Sequence, residues 1–421
     1  MSDSVVVVGA GLAGLVAARH LADGGVDVTV YEQHEQVGGR VRSRQQGGYT
    51  LDRGFQVLLT GYPALERELD LDALDLRFFK PGAVIARPGQ RSVLSDPLRD
   101  PLATFETITN SEVSFSDKLR TLALRRDLAG RPYESLLDRS DSSIREYLRE
   151  WGFSERYLSN FIAPFYGGIT LDRSLGTSKR VFEYTFKSLS EGRTAVPAEG
   201  MGAITRQLAE RAEDAGAQIV TGEAVTELKQ KRRHALVVTD DDRRAVDAVV
   251  VATQPTVAAR LTGNDAIPTD GVGCVTQYYR LDGPPLDTGK RLLLNAGDTA
   301  PNTVVPLSEV APEYAAGDQL LNATFLGEDS FETSREELAT MTRETLESWY
   351  PERSFDALEP LATDRIPFAQ FAQPPGIHDS LPDVRDGGRR TYLAGEYTEW
   401  SSIQGALKSG RAAASAVLED F

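Results

Sequence analysis

The sequence predicts an α/β chain: a Rossmann-type parallel sheet gathered from separated stretches, with an α+β region inserted between them. Three observations predict it. Val5 to Val8 is a β-branched run of the kind buried on both faces of a parallel sheet, and it leads into Gly9, Gly11 and Gly14 in the spacing G-x-G-x-x-G. A helical stretch from Leu12 to about Asp23 and a strand from Val26 to Tyr31 follow, ending in Glu32. Near the other terminus, a strand at Thr391 to Ala394 is again followed by a helix, opening at Ile403.

The opening unit has the parts of a dinucleotide site. Gly9 permits the tight turn out of the strand, and the backbone of Ala10, Gly11, Leu12 and Ala13 can approach a pyrophosphate because Gly11 has no side chain. Gly14 lets helix and sheet pack closely, and the free N–H groups of the helix start favour an anion. Leu12, Leu15, Val16 and Leu21 supply a buried side, and Gly24-Gly25 supplies the stop. Glu32, eighteen residues after Gly14, can accept hydrogen bonds from ribose hydroxyls and would repel a 2′-phosphate. A ligand-free glycine turn would need neither the second strand nor the acid.

After Glu32 come Gly38, Gly39 and Arg40: a second close-approach glycine pair and a permanent cation suited to a pyrophosphate. With that continuation, E-x(5)-G-G-R, the chain resembles the FAD-dependent amine oxidoreductase superfamily, which includes amine oxidases, protoporphyrinogen oxidases and phytoene-desaturase-like enzymes. The resemblance implies FAD.

Composition narrows the alternatives. At 421 residues the chain can hold two domains and a large core. No stretch is long and apolar enough to span a bilayer, and no basic start leads into an apolar segment. The lone Cys274 excludes an internal disulfide framework and suits a reducing, cytoplasmic setting; with four scattered histidines it also argues against a metal site. The net charge of −16, from 32 Asp, 30 Glu, 38 Arg and 8 Lys, repels nucleic acid and anionic membrane surfaces, and suits a salt-rich cytoplasm. Peripheral membrane contact is left open.

Along the chain, Gly48 to Leu58 reads as a short strand to Asp52, a turn at Gly54, then Phe55 and Gln56. In the resembling families such a D-x-G element passes close to the flavin ring, and G-F-Q-V-L-L with Tyr62-Pro63 is similar to a desaturase-like subgroup. A hairpin corner needing glycine is the other reading of Gly54. Val84 to Val93 predicts a hairpin around Pro88-Gly89. Helices are expected over Ser116–Asp127, Ser142–Trp151 and Ser154–Phe165, with Ser142 and Ser154 as caps, the last running into F-I-A-P-F-Y-G-G. Its aromatics suit an apolar substrate cavity or simply a core.

A helix over Ala203–Ala215 and strands at Gln218–Val220, Glu223–Leu228, Ala235–Thr239 and Ala245–Val251 return the chain to the first sheet. The resemblance implies that the Val225 backbone holds the FAD adenine and that Val251 leads into a second turn against the cofactor. Val275–Leu281, Arg291–Leu294 and Gln319–Phe325 are strand-like, and Ser334–Tyr350 is helical before Pro351. Arg365-Ile366-Pro367-Phe368-Ala369 reads as a buried turn without a chemical role.

The closing stretch, Gly395-Glu396 followed by Ile403-Gln404-Gly405-Ala406 and Ser409-Gly410, resembles the superfamily's last motif. A helix N-terminus at Ile403, Gln404 and Ala406 would place N–H groups on the flavin N1/O2 edge, and Glu396 would reach a ribityl hydroxyl or a water by the pyrophosphate. No cysteine lies in the region before Gly395 where the resembling monoamine oxidases attach FAD covalently, so the FAD is expected to be non-covalent, and no second G-x-G-x-x-G supports an NAD(P)H site.

The expected layout is an FAD domain in three pieces, 1–75, 197–255 and 386–421, around a substrate domain in two, 76–196 and 256–385. The expected activity is hydride removal from a small organic molecule, first an apolar isoprenoid or polyene, with an amine or porphyrinogen as alternatives. Electrons would leave to oxygen, a quinone or another acceptor. A flavoprotein that isomerises without net redox, or an FAD-less binding protein on this fold, are the rivals of another class. No acid–base pair stands out; Trp400, Tyr397 and Gln56 are candidates to face the substrate.

Overall fold

The structure, a computed structural model, describes residues 3–95, 113–232, 234–297 and 300–421. Five parallel strands form the first sheet, in the order Gln218–Thr221, Asp27–Glu32, Ser4–Val8, Ala248–Val251 and Thr391–Leu393. Its central strands are valine-rich because both faces are covered: Val6, Val7, Val249 and Val250 are fully buried. On one face the helix Leu12–Asp23 packs between Gly202–Asp214 and the terminal helix Ile403–Asp420. Contact with the terminal helix is close at Gly410, where a Cβ would lie 2.3 Å from the Ala13 carbonyl oxygen. Gly25, at φ +83°, supplies the left-handed residue that ends the first helix.

The run expected as one strand over Ala245–Val251 is two. Arg243–Val246 closes an antiparallel meander with Ala235–Thr239 and Val225–Gln230, whereas Ala248–Val251 enters the parallel sheet. Asp247 makes the break: its Oδ2 accepts both the backbone N–H and the hydroxyl of Ser4 at 2.9 Å, turning the chain at the start of the two neighbouring parallel strands.

A second, seven-stranded sheet runs Leu358–Phe371, Gly271–Leu281, Gln319–Phe325, Thr303–Pro306, Leu293–Asn295, Ala83–Arg87 and Gln90–Leu94. All its pairs are antiparallel except Leu293–Asn295 with Ala83–Arg87. Arg365 to Ala369, expected as a turn, lies inside the first of these strands. Pro360 and Pro367 are tolerated because the strand is at the sheet's edge and its register slips near both, at Tyr278/Tyr279 and Val272/Cys274 of its partner.

Helices Phe115–Ala129, Ile144–Glu150, Ala163–Thr170 and Lys179–Glu191 cover the region between. Ser143, rather than Ser142, caps Ile144–Glu150 in a reciprocal box with Glu146, while Ser154 does cap the segment at Glu155. The helix expected over Ser154–Phe165 is present and runs on through F-I-A-P-F-Y-G-G to Thr170: a π-helical turn, Leu158–Ile162, carries the backbone into Ala163–Thr170. Pro164 has no N–H to give to the preceding turn, and the wider turn relieves that conflict. Lys179–Glu191, unforeseen, buries Val181, Phe182 and Tyr184 among its charges.

Candidate cofactor and substrate site

The carboxyl ends of Ser4–Val8 and Asp27–Glu32 meet at the glycine turn. Gly9, at φ +102°, bends the chain, and a Cβ on Gly14 would sit 1.9 Å from the Gly9 carbonyl oxygen. Both glycines are therefore required by packing. Gly11 is different: a Cβ there would meet no protein atom within 4 Å. Backbone that close to open space, at a helix N-terminus, is a cradle for an anion.

Ala10 faces the protein. Its N–H donates to Glu32 Oε2 at 2.9 Å, and its carbonyl accepts the Gly38 N–H at 2.8 Å. Glu32 Oε1 accepts the His34 N–H at 3.0 Å, so the buried carboxylate is fixed from both sides beside the turn. Gly38 and Gly39 have φ of +118° and +58°, and Gly39 lies against the Gly11 backbone. Arg40 follows, donating through Nη1 to the Ala369 carbonyl at 2.9 Å and pairing with Glu396 Oε1 at 2.5 Å.

A connected cavity of about 920 Å³ extends from this turn. Of the residues expected to bind cofactor, Gly9, Gly11, Leu12, Ala13, Glu32, Gly38, Gly39, Arg40, Gly54, Phe55, Val225, Gly395, Glu396, Ile403 and Ala406 line it. Ala10, Gly14 and Gln404 do not: Gln404 turns its side chain away, and its Oε1 accepts the Ala64 N–H at 2.8 Å. The terminal helix is capped by the Ser402 hydroxyl, which accepts the Gly405 N–H at 2.8 Å, and the Ser402 carbonyl accepts that of Ala406. The amides of Ile403 and Gln404 are the ones left for a ligand, among the described residues.

The other motif residues have structural tasks. The Ser409 hydroxyl accepts the Gly395 N–H at 2.8 Å, which explains why a glycine turn and a distant serine belong to one pattern. Asp52 does not line the cavity. Its buried carboxylate accepts from Ser43 at 2.5 Å, from the Met201 N–H at 2.9 Å and from the Tyr314 hydroxyl at 3.3 Å, locking the turn before Gly54. Burial pushes its pKa up to about 6, against the pull of those donors. Tyr397 borders the cavity but is fully buried, and its hydroxyl donates to the Val251 carbonyl at 2.9 Å, so it also supports the turn. Gln56 donates to the Arg40 carbonyl. Trp400 lines the cavity in a cluster with Tyr62 and Tyr184, at ring separations of 6.0 and 4.7 Å.

Away from the glycine turn the lining becomes aromatic. Phe161, Phe165 and Tyr166 succeed one another at 5.4 and 5.5 Å along the helix entered by the π-turn, and Phe186 and Leu189 join them from Lys179–Glu191. Among the described lining residues the carboxylates are Glu32 and Glu396, both tied to the glycine turn. Sequence reasoning missed Arg53, which lines the cavity with its pKa lowered by burial and by Arg42. It also missed the edge strand, whose Ile366, Phe368 and Ala369 reach the site. The adjacency of Arg53 to Gly54 was a usable signal, and so was the likeness of Arg365–Ala369 to an R-I-P-x-A element of the resembling subgroup, to which no chemical role was attached.

The residues present fit a flavin dinucleotide on chemical grounds. An anion cradle at Gly11, a fixed carboxylate at Glu32, the helix start at Ile403 and an adjoining apolar chamber share one cavity.

Residues 12–418 match the family described as flavin containing amine oxidoreductase. Phytoene dehydrogenase of Streptomyces griseus is 29% identical over 291 residues, 62% of this chain and 56% of that protein. The 15-cis-phytoene desaturase of Solanum lycopersicum is 22% identical over 99% of this chain and 78% of its own length. Protoporphyrinogen oxidase 2 of Arabidopsis thaliana is 30% identical over 39% of the chain and 32% of that protein. The match thus spans about half the length of the first of these relatives and a third of the last. Among solved structures, an oxidoreductase from Methanosarcina mazei superposes with a TM-score of 0.75 at 19% identity, covering 99% of this chain and 100% of that one. Cyclohexylamine oxidase from Brevibacterium oxydans does so at 0.68 and 18%, covering 100% and 99%. These two likenesses speak for the fold.

Proposed function

The chain belongs to the flavin-containing amine oxidoreductase family, and on that premise we propose that it binds FAD non-covalently and oxidises an apolar isoprenoid or polyene by a desaturase-like reaction. When bound, FAD supplies the hydride acceptor. Glu32 would hold a ribose, the Gly11 turn with Arg40 and Arg53 the pyrophosphate, the Val225 backbone the adenine, and the Ile403 and Gln404 amides the electron-rich edge of the ring. The aromatic chamber orients a long apolar substrate and excludes water from the reacting carbon.

The observation that carries the substrate class is the lining itself. A protonated amine entering a low-dielectric chamber needs a counter-ion or loses several kcal/mol of hydration (about 3–5, by analogy with unpaired buried charges). The described carboxylates that line the cavity are already engaged at the glycine turn, Glu396 by Arg40 and Glu32 by backbone N–H groups. The phytoene dehydrogenase and desaturase relatives support the same choice. An amine or porphyrinogen oxidase is the alternative, the latter favoured by the protoporphyrinogen oxidase relative. The electron acceptor is oxygen, a quinone or another small oxidant. A cytoplasmic setting suits the lone thiol Cys274, buried with its pKa pushed up to about 12.

Anaerobic mixing of the purified holoprotein with amines, polyenes and porphyrinogens tests the assignment. Loss of flavin colour with polyenes alone is expected. Loss with amines alone would replace the first reading by the second.

A further inference from the structure

Gln373 stands two residues beyond the edge strand Leu358–Phe371 and is almost fully buried, yet it does not itself line the cavity. Its side-chain carbonyl oxygen accepts the Ser401 N–H at 2.9 Å in a buried bond. That N–H belongs to the peptide joining Trp400 to Ser401. The other end of the same peptide, the Trp400 carbonyl, faces Gly405, where a Cβ would lie 2.1 Å from the oxygen. The peptide is gripped at both ends. On one side it carries Trp400, which faces the chamber beside Tyr62; on the other it leads into Ser402, the cap of the terminal helix, and Ile403.

Gln373 is held in its turn. Its backbone carbonyl accepts the Ser178 N–H at 2.8 Å, and Ser178 caps helix Lys179–Glu191, which supplies Val181, Thr185 and Phe186 to the chamber wall. The Asp141 carboxylate accepts the Ser178 hydroxyl at 2.8 Å and, from the stretch after Gln373, the Gly376 N–H at 2.8 Å. His378 Nε2 lies 3.4 Å from the Gln373 oxygen. Burial pushes the His378 pKa down to about 4, so the ring is neutral at physiological pH and its Nε2–H can donate there.

We propose that Gln373 is a positioning residue for the redox chemistry. By fixing the peptide between Trp400 and Ser401 it holds the start of the terminal helix at the electron-rich edge of the flavin, and so sets how strongly the site prefers reduced over oxidised FAD. This rests on the FAD reading above and is independent of the substrate class. Helix-start N–H groups stabilise the negative charge gained on reduction only while they point at it, and groups free to turn lose that preference. A buried N–H without an acceptor is costly. Removal of the Gln373 oxygen therefore leaves the Ser401 amide to turn toward another partner, and Ser402 and Ile403 follow it directly in the chain. Because the Gln373 backbone also takes the Ser178 N–H, the chamber wall and the cofactor helix share one anchor.

Gln373→Leu keeps the size of the side chain and removes the acceptor. The midpoint potential of bound FAD, read by equilibration of the holoprotein with redox dyes, tests the proposal without turnover. The preference for reduced over oxidised flavin should fall by on the order of tenfold, a potential lower by about 30 mV for a two-electron couple. Gln373→Asn, which withdraws the amide by one methylene, should shift the potential in the same direction and serves if the leucine variant does not fold. Tyr350→Phe controls for general loosening. It removes the bond from the Tyr350 hydroxyl to the Leu286 carbonyl at 3.0 Å, in the second sheet's own core. That variant should melt at a lower temperature with its potential unmoved. Potentials of the Gln373 variants equal to the parent's, or an equal shift in Tyr350→Phe, overturn the proposal. A parent chain that takes up no FAD overturns the FAD reading and the proposal with it, whereas yellow Gln373 variants with an unshifted potential overturn the proposal alone.

Discussion

The guanidinium of Arg40 meets the carboxylate of Glu396 at 2.5 Å, across 356 residues of sequence. Arg40 also donates to the carbonyl of Ala369. The opening glycine turn, the edge strand of the second sheet and the closing motif are thereby held at one point, beside the anion cradle. Glu396 is largely buried, where a lone charge is costly, and Arg40 pairs with it.

Removing the cation should expose that dependence. Arg40→Met is expected to cost about 3 kcal/mol of stability, because an unpaired buried carboxylate is left behind. Adding Glu396→Gln should restore most of the stability but not the affinity for FAD. Thermal melting with and without added FAD separates the two effects.

Gly11 and Gly14 carry the same motif for different reasons, and alanine distinguishes them. Gly14→Ala drives a Cβ into the Gly9 carbonyl, and a loss of at least roughly 1–3 kcal/mol is expected in the FAD-free protein. Gly11→Ala meets no protein atom, so the FAD-free fold should melt within about 1 kcal/mol of the parent. Its FAD binding should fall steeply. A Gly11→Ala protein that binds FAD normally would remove the pyrophosphate from this turn.

Asp52 makes a pH prediction. Burial raises its carboxyl from 3.8 to about 6 in the folded protein. Its contribution to stability is therefore fully present below the ordinary value and is lost as pH rises through about 6. The loss amounts to roughly 3 kcal/mol. Asp52→Asn keeps an acceptor for the Met201 N–H but cannot ionise. Urea unfolding between pH 4 and 7 should show a flatter stability profile for the variant, and parallel profiles would contradict the assignment.

Glu68 is fully buried beneath the two helices that start at the cofactor site. It lies 3.0 Å from His20 and 3.6 Å from Arg19 on the first helix, and 2.8 Å from Arg411 on the last. Glu68→Gln should destabilise by about 3–5 kcal/mol, since the cations lose their shared partner. Weaker FAD retention should accompany the lower melting temperature.

The local parts of the site were legible because backbone chemistry dictates them. The valine run, the glycine spacing and Glu32 each have one conformation that satisfies them, and the helix Leu12–Asp23 has the expected bounds. Ser409 and Gly410 could be placed near the cofactor from the motif, but their tasks, holding the Gly395 amide and admitting the Ala13 carbonyl, are tertiary. Long-range pairing was the part that sequence could not supply. Arg365–Ala369 has the composition of a turn and becomes an edge strand only because Gly271–Leu281 offers it a partner. Helix Lys179–Glu191 escaped notice because its charges are paired internally, as Glu183 is with Arg139, where periodicity alone suggests solvent. Asp247 divides a run of β-formers through a bond to Ser4, 243 residues away.

The central claim is that FAD lies non-covalently between the opening turn and the terminal helix. Denaturing the purified yellow protein and separating it from its supernatant tests this most directly. The account predicts that all flavin absorbance leaves with the supernatant as intact FAD, and that the refolded protein takes it up again. A protein that is colourless even after refolding with excess FAD would contradict the account, and flavin that stays with the denatured chain would contradict the non-covalent attachment.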